Sequence, residues 1–118
     1  MNTREIGTAQ EQKAVAYLRE HGVQILQQNF RCRQGEIDII GRHDGYLVFV
    51  EVKYRKNTNC GTAAEAVTYT KQCRICRVAD FYRYRCHYGA DTAVRYDVLA
   101  IQGEELTWIQ NAFPHRYK

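Results

Sequence analysis

Gly35-Glu36-Ile37-Asp38-Ile39-Ile40-Gly41-Arg42-His43-Asp44-Gly45-Tyr46-Leu47-Val48-Phe49-Val50-Glu51-Val52-Lys53 is the stretch on which the fold turns. Two β-branched runs with period-two alternation, Glu36 to Ile40 and Tyr46 to Tyr54, flank Asp44-Gly45, the strongest short-range signal for a hairpin. With Asp44 and Gly45 as the turn residues, Arg42 faces Leu47, Ile40 faces Phe49, Asp38 faces Glu51 and Glu36 faces Lys53. One face then carries Ile37, Ile39, Val48, Val50 and Val52 and must be buried. The other is apolar near the turn, at Ile40, Leu47 and Phe49, and charged further along. Directly opposed side chains have Cβ atoms ~5 Å apart, and like charges there weaken a sheet. Asp38 against Glu51 is therefore an anomaly in a pair otherwise built for a core. A divalent cation between the carboxylates removes the repulsion, and oxygen donors suit Mg²⁺ or Mn²⁺. A plain Glu36–Lys53 ion pair, with Glu51 marking where the strand leaves the core, is the structural alternative.

The flanking sequence extends the hairpin into one α/β unit. Thr8 to His21 carries Ala14, Val15 and Leu18 at helical spacing and stops at Gly22. Val23 to Phe30 reads as a strand whose Gln27 and Gln28 suit an edge. Asn57 to Gly61 is a loop, followed by a helical region from Thr62 to about His87. A break is expected near Val67 to Thr70, where Thr68 suits an N-cap. Val94 to Ile101 and Leu106 to Ile109 are further strands, and Pro114 closes the domain. The 118 residues, 45% hydrophobic and 25% charged, suit a single domain over 1–118 rather than a disordered chain. The longest apolar run, Tyr46 to Val50, is too short for a bilayer. The N-terminus lacks the apolar core of a signal peptide. Five cysteines without framework spacing indicate reduced thiols and a cytoplasmic protein. Membrane protein, secreted disulfide scaffold and flexible tail are excluded as expectations.

Charge is uneven along the chain. The formal net charge is +4, yet from Lys53 to Arg85 eight basic residues face two acidic ones. Tyr54, Tyr69, Tyr82, Tyr84 and Tyr88 are interleaved with them. A basic stretch with aromatics suits a polyphosphate backbone, and so does a solvated helix face with snorkelling arginines.

Two residues outside the facing carboxylates add chemistry. Glu11 shares the helical stripe of Ala14, Val15 and Leu18, and a core-facing carboxylate is costly unless paired, protonated or metal-bound. Thr8-x-x-Glu11 also fits a capping box, and the two readings are not exclusive. Lys53 follows Glu51 on the same face, ~7 Å along the strand. An ammonium beside a metal-bound carboxylate pair can orient the attacking water and stabilise charge developing on a phosphate.

Taken together, these residues resemble the YraN family of small bacterial proteins. The resemblance runs through Gly7-x-x-x-Glu11-x-x-Ala14-x-x-Tyr17-Leu18, Asn29-Phe30-Arg31, Gly35-Glu36-Ile37-Asp38 and Phe49-Val50-Glu51-Val52-Lys53-x-Arg55. It continues through Ala66-Val67-Thr68-x-x-Lys71, Arg95-Tyr96-Asp97-Val98 and Asn111-Ala112-Phe113, so it covers essentially the whole chain. The family looks like the restriction-endonuclease fold, which implies an αβββαβ core with a mixed central sheet flanked by helices. It also implies a PD-(D/E)xK nuclease site. Asp38, Glu51 and Lys53 match that signature, and Glu11 matches the first-helix acidic residue of the Holliday-junction-resolvase branch. Ile37 stands where the motif name puts proline, and Gln10 where the family has a small residue.

The expectation is a metal-dependent nuclease acting on DNA, branched or otherwise structured. Asp38 and Glu51 hold Mg²⁺ (or Mn²⁺), Glu11 is a further ligand through water, and Lys53 positions the nucleophilic water. Arg74 and Arg77, with Lys71 and Arg55 behind them, are the expected phosphate contacts. A non-catalytic nucleic-acid-binding module would use the same basic surface. An interaction protein would use a strip of Tyr69, Cys73 and Cys76, opposite the core stripe Ile75, Val78, Ala79 and Tyr82. A homodimer is the simplest way for so small a domain to cut two strands. Cys73-x-x-Cys76 with Cys86-His87 lacks a knuckle turn for zinc, and Gly61-Thr62-Ala63-Ala64 is no phosphate loop. His21 suits a helix C-terminus, while His43, His87 and His115 have no partner legible in the sequence.

Overall fold

The computed structural model describes residues 3–55 and 67–117. The elements run α1 (Thr3–Glu20), β1 (Gln24–Cys32), β2 (Gly35–His43), β3 (Tyr46–Arg55), α2 (Tyr69–Arg85), β4 (Val94–Gln102) and β5 (Glu105–Ile109). The strands form one sheet in the order β1-β2-β3-β4-β5. Only β3 and β4 pair in parallel, with α2 between them in sequence; the other neighbours are antiparallel. The sheet is therefore mixed and flanked by helices, as expected.

Asp44 and Gly45 turn the β2–β3 hairpin, both with positive φ (51° and 82°), the combination a tight two-residue turn demands. The rungs His43↔Tyr46, Arg42↔Leu47 and Ile40↔Phe49 follow the register read from the sequence. The ladder reaches Ile39↔Val50. At the next step the Val52 N–H donates to the Asp38 carboxylate (2.8 Å). A side chain has taken over a backbone donor, so the strands separate where the charged residues begin.

Two cores sandwich the sheet. On one face Ala14, Val15 and Leu18 of α1 cover Ile39, Val48, Val50, Leu99 and Ile101. On the other Ile75, Cys76, Val78, Ala79 and Tyr82 of α2 cover Ile40, Leu47, Phe49, Tyr96 and Val98. Strict alternation puts Ile37 with Ile39, yet Ile37 packs with Phe30 in the α2-side core. The cause is local. Between the rungs Gln28↔Ile39 and Phe30↔Ile37, Asn29 takes φ 53°. A left-handed residue inside a strand rotates the residues after it, and asparagine tolerates that conformation better than most residues.

α1 starts at Thr3, five residues before the expected Thr8. Thr8 is thus inside the helix, which removes the capping-box reading of Glu11. The helix closes through Val23 N–H to Leu18 O at 2.9 Å, a Schellman-type bond. Thr68 caps α2 as expected, its hydroxyl accepting the Lys71 N–H at 3.2 Å. The expected loop at 57–61 and the first residues of the helical region from Thr62 lie outside the described residues.

The Tyr69/Cys73/Cys76 strip is open at Tyr69 alone, which is 51% exposed. Cys73 and Cys76 are buried. The Arg116 N–H donates to Cys76 Sγ (3.2 Å), Arg116 Nε to Gln72, and its guanidinium lies over Tyr69. With Phe113 in the same core, the C-terminal segment straps α2 from outside. A one-stripe helical wheel missed this because α2 is covered on two sides. Among the described residues Cys32, Cys73, Cys76 and Cys86 are free thiols, and no helix is long and apolar enough to cross a membrane.

Candidate active site

Where β2 and β3 part, Asp38 and Glu51 come together. Glu51 is only 8% exposed. Its Oε1 lies 4.0 Å from Lys53 Nζ and 3.3 Å from Lys71 Nζ. Asp38 holds the Val52 N–H with one oxygen and shares a hydrogen bond with Glu51. Its carboxyl is pushed up to about 7, first by burial and then by the Glu51 charge, against the pull of the Val52 N–H. Burial disfavours the Lys71 ammonium, but the Glu51 charge and hydrogen bond, the contact with Lys53 and the Asp38 charge together offset this and hold the lysine above its ordinary value.

A cleft of about 510 Å³ opens onto the pair, lined by Arg31, Cys32, Glu36, Lys71, Arg74 and Ile75 among others. Gly35 at its rim has φ 143°, and a Cβ there would stand 3.1 Å from the Arg74 stem. The bare glycine lets the Arg74 stem lie against the β1–β2 turn, and Arg74 lines the cleft together with the carboxylates. Glu36, expected opposite Lys53, is instead bound by Arg31, its neighbour on β1 (Nε–Oε2 2.9 Å). Glu36 thus has an ion-pair partner on β1, and Lys53 has one in Glu51.

Glu11 reaches the same region from α1. Its Oε2 accepts from Asn29 Nδ2 at 3.1 Å, and its charge adds to the upward pressure on Asp38. Among the described residues no three His, Cys, Asp or Glu side chains converge as a ready metal cage. The first-hand donor set is the Asp38/Glu51 pair, with Glu11 set back on Asn29. That set suits Mg²⁺, which keeps several waters and takes one or two carboxylates.

Of the expected phosphate contacts, Lys71 and Arg74 line the cleft. Arg77 is exposed one turn further along α2. Arg55 ends β3, and its side chain lies outside the described residues. Sequence reasoning placed Lys71 behind the arginines, whereas it sits on Glu51. It also passed over Asn29 as a site residue. The sequence signal for Asn29 was an asparagine inside a strand, a residue type that tolerates positive φ.

The match to known proteins is broad. Residues 10–101 match the model of the Uncharacterised protein family UPF0102. The chain belongs to the UPF0102 family. A UPF0102 protein of Lachnoclostridium phytofermentans is 48% identical over 113 residues, 96% of each chain. UPF0102 proteins of Legionella pneumophila and Vibrio cholerae are 41% and 43% identical, covering 94% and 95% of this chain and 96% and 94% of their own. The UPF0102 match spans Glu11, Asp38, Glu51, Lys53 and Lys71.

Proposed function

We propose that this UPF0102 chain is a metal-dependent nuclease that hydrolyses phosphodiester bonds in DNA, branched or otherwise structured. The observation that carries the reading is the meeting of Asp38 and Glu51 where the ladder ends, with Lys53 and Lys71 on one Glu51 oxygen. Two carboxylates forced together raise the proton affinity of one of them, and a divalent cation resolves that conflict better than a proton does. Asp38 and Glu51 would hold Mg²⁺ or Mn²⁺, and Glu11 would contact its water shell. When bound, the metal supplies Lewis acidity toward a phosphoryl oxygen and acidifies a water. Lys53 orients the nucleophilic water from the floor of the site. Arg74 and Arg31 at the rim, with Arg77 beyond them, receive the flanking phosphates.

The test is Mg²⁺- and Mn²⁺-dependent cleavage of single-stranded, duplex, flap and four-way-junction DNA by wild type, Asp38→Asn and Lys53→Ala. Loss of cleavage in both folded variants, by 10²-fold or more, supports the reading and ranks the substrates. Equal activity in all three assigns the cleavage to a contaminant and overturns it. Salt-sensitive binding without cleavage, retained in Asp38→Asn, replaces the nuclease with a binding module.

A further inference from the structure

Two ammonium groups share one carboxylate oxygen in this site, and the closer of them is not the motif lysine. Lys71 Nζ stands 3.3 Å from Glu51 Oε1, whereas Lys53 Nζ stands at 4.0 Å. A divalent cation bonded to that oxygen sits at ~2.1 Å and brings its own waters. Both ammonium groups cannot keep their places beside it, because like charges so close repel strongly in a partly buried site. The structure indicates which one moves. The Lys53 side chain is 21% exposed and rises from the middle of the sheet, whereas that of Lys71 is 37% exposed. The backbone beneath Lys71 is fixed by the Thr68 cap and by Gln72 Nε2 to Val67 O (3.0 Å). The side chain can therefore swing without disturbing the helix. Arg31 and Arg74 line the same cleft as Lys71.

We propose that Lys71 is a metal-released catalytic residue: it occupies Glu51 while the site is metal-free and, once a divalent cation takes Glu51, carries its ammonium to the scissile phosphate. This rests on the nuclease reading above and adds a residue and an order of events to it. Lys71 competes with the metal for Glu51 and cooperates with it toward DNA, so one substitution should move two readouts in opposite directions.

The experiment measures Mn²⁺ affinity by calorimetry, and binding of a four-way-junction DNA with and without Ca²⁺, for wild type, Lys71→Met, Lys71→Gln, Lys71→Arg and Asp38→Asn. Removing the competing ion pair, whose Lys71 end is 37% exposed and whose Glu51 end is nearly buried, should tighten Mn²⁺ binding about three- to tenfold in Lys71→Met and Lys71→Gln. The same variants should lose most of the gain in DNA affinity that Ca²⁺ gives wild type, while their metal-free DNA affinity changes less. Lys71→Arg, which keeps the charge, should stay within about twofold of wild type for Mn²⁺. Unchanged or weaker Mn²⁺ binding in Lys71→Met and Lys71→Gln, alongside metal uptake by wild type that Asp38→Asn loses, overturns the role of Lys71 alone. Mn²⁺ uptake that is absent from wild type, or equal in Asp38→Asn, overturns the nuclease reading and this inference with it.

Discussion

A carboxyl held beside another carboxylate, out of water, keeps its proton longer than it would in the unfolded chain. Asp38 is such a group, pushed from 3.8 to about 7 by burial and by Glu51. Between those two values the folded protein binds a proton that the unfolded chain has released, so metal-free stability falls as pH rises through that window. Between pH 5 and pH 8 the loss is on the order of 3 kcal/mol. Urea denaturation with chelator at pH 5 and pH 8 should show this slope, and Asp38→Asn should flatten it. Excess Mn²⁺ should reverse it, since the metal binds the ionised pair. A slope unchanged by Asp38→Asn would place the strain elsewhere. The facing of Asp38 and Glu51 was legible in the sequence because Asp44-Gly45 fixes the hairpin register and the side-chain period is two. What alternation could not give is that the ladder ends one step earlier. That depends on the Asp38 side chain competing with the backbone for the Val52 N–H.

Irregularities in β1, β2 and α1 can each be tested alone. β1 shifts register between Ile25 and Gln27, and opposite this bulge a Cβ on Gly41 would stand 2.7 Å from Val23 Cγ1 and 2.8 Å from the Gln24 carbonyl oxygen. Gly41→Ala should therefore cost about 2 kcal/mol by chemical denaturation, since backbone must move to make room. Four residues beyond Ile25, Asn29 serves two ends at once, its φ of 53° turning β1 and its amide holding Glu11. Asn29→Gly keeps the turn and should stay within about 1 kcal/mol of wild type. Asn29→Ala adds about 1 kcal/mol of left-handed strain. Both release Glu11, so both should lower cleavage alike despite their different stabilities. On α1, Gln10 Oε1 is buried with no hydrogen-bond partner among the described residues. Its sequence warning was a long polar side chain where the resemblance expects a small one. Gln10→Ala should raise stability by about 1 kcal/mol, relieving that orphan, with a Tm scan as the readout. The helices and strands were legible from periodicity, whereas the twist at Asn29 was not, because one residue's φ answers to packing on both sides of the sheet.

Across the whole molecule, two devices fasten the C-terminal residues to the sheet. Asp97, almost fully buried, accepts from Arg95 Nε and Nη2, from Trp108 Nε1 and from the Asn111 N–H, all at 2.9 Å. Arg95 in turn meets His43 (3.0 Å) and lies over the Tyr46 and Trp108 rings. So complete a set of partners around a buried charge reads as structure, and Asp97→Asn should cost about 3–5 kcal/mol by leaving Arg95 uncompensated. The second device is the strap. Phe113 stacks on Tyr96 at 5.3 Å, His115 bridges the Tyr96 hydroxyl (2.6 Å) and Asp80 (3.4 Å), and Arg116 reaches Gln72. Neither His43 nor His115 could be given a partner from sequence, because their partners lie 52 and 19 residues away in the chain. Since Gln72 is next to Lys71, the strap braces the turn of α2 that faces Glu51. In a background with Cys32, Cys60 and Cys86 changed to Ser, the remaining Cys73 and Cys76 should react slowly with an aromatic disulfide reagent, because both are buried and burial pushes the Cys76 thiol up. Phe113→Ala removes the anchor and should cost about 3 kcal/mol. If the strap is a brace, both thiols should become reactive and cleavage should fall under conditions where the sheet stays folded by far-UV circular dichroism. Thiols that stay protected until global unfolding would mean that α2 holds its place without the strap, and that Phe113 contributes core volume alone.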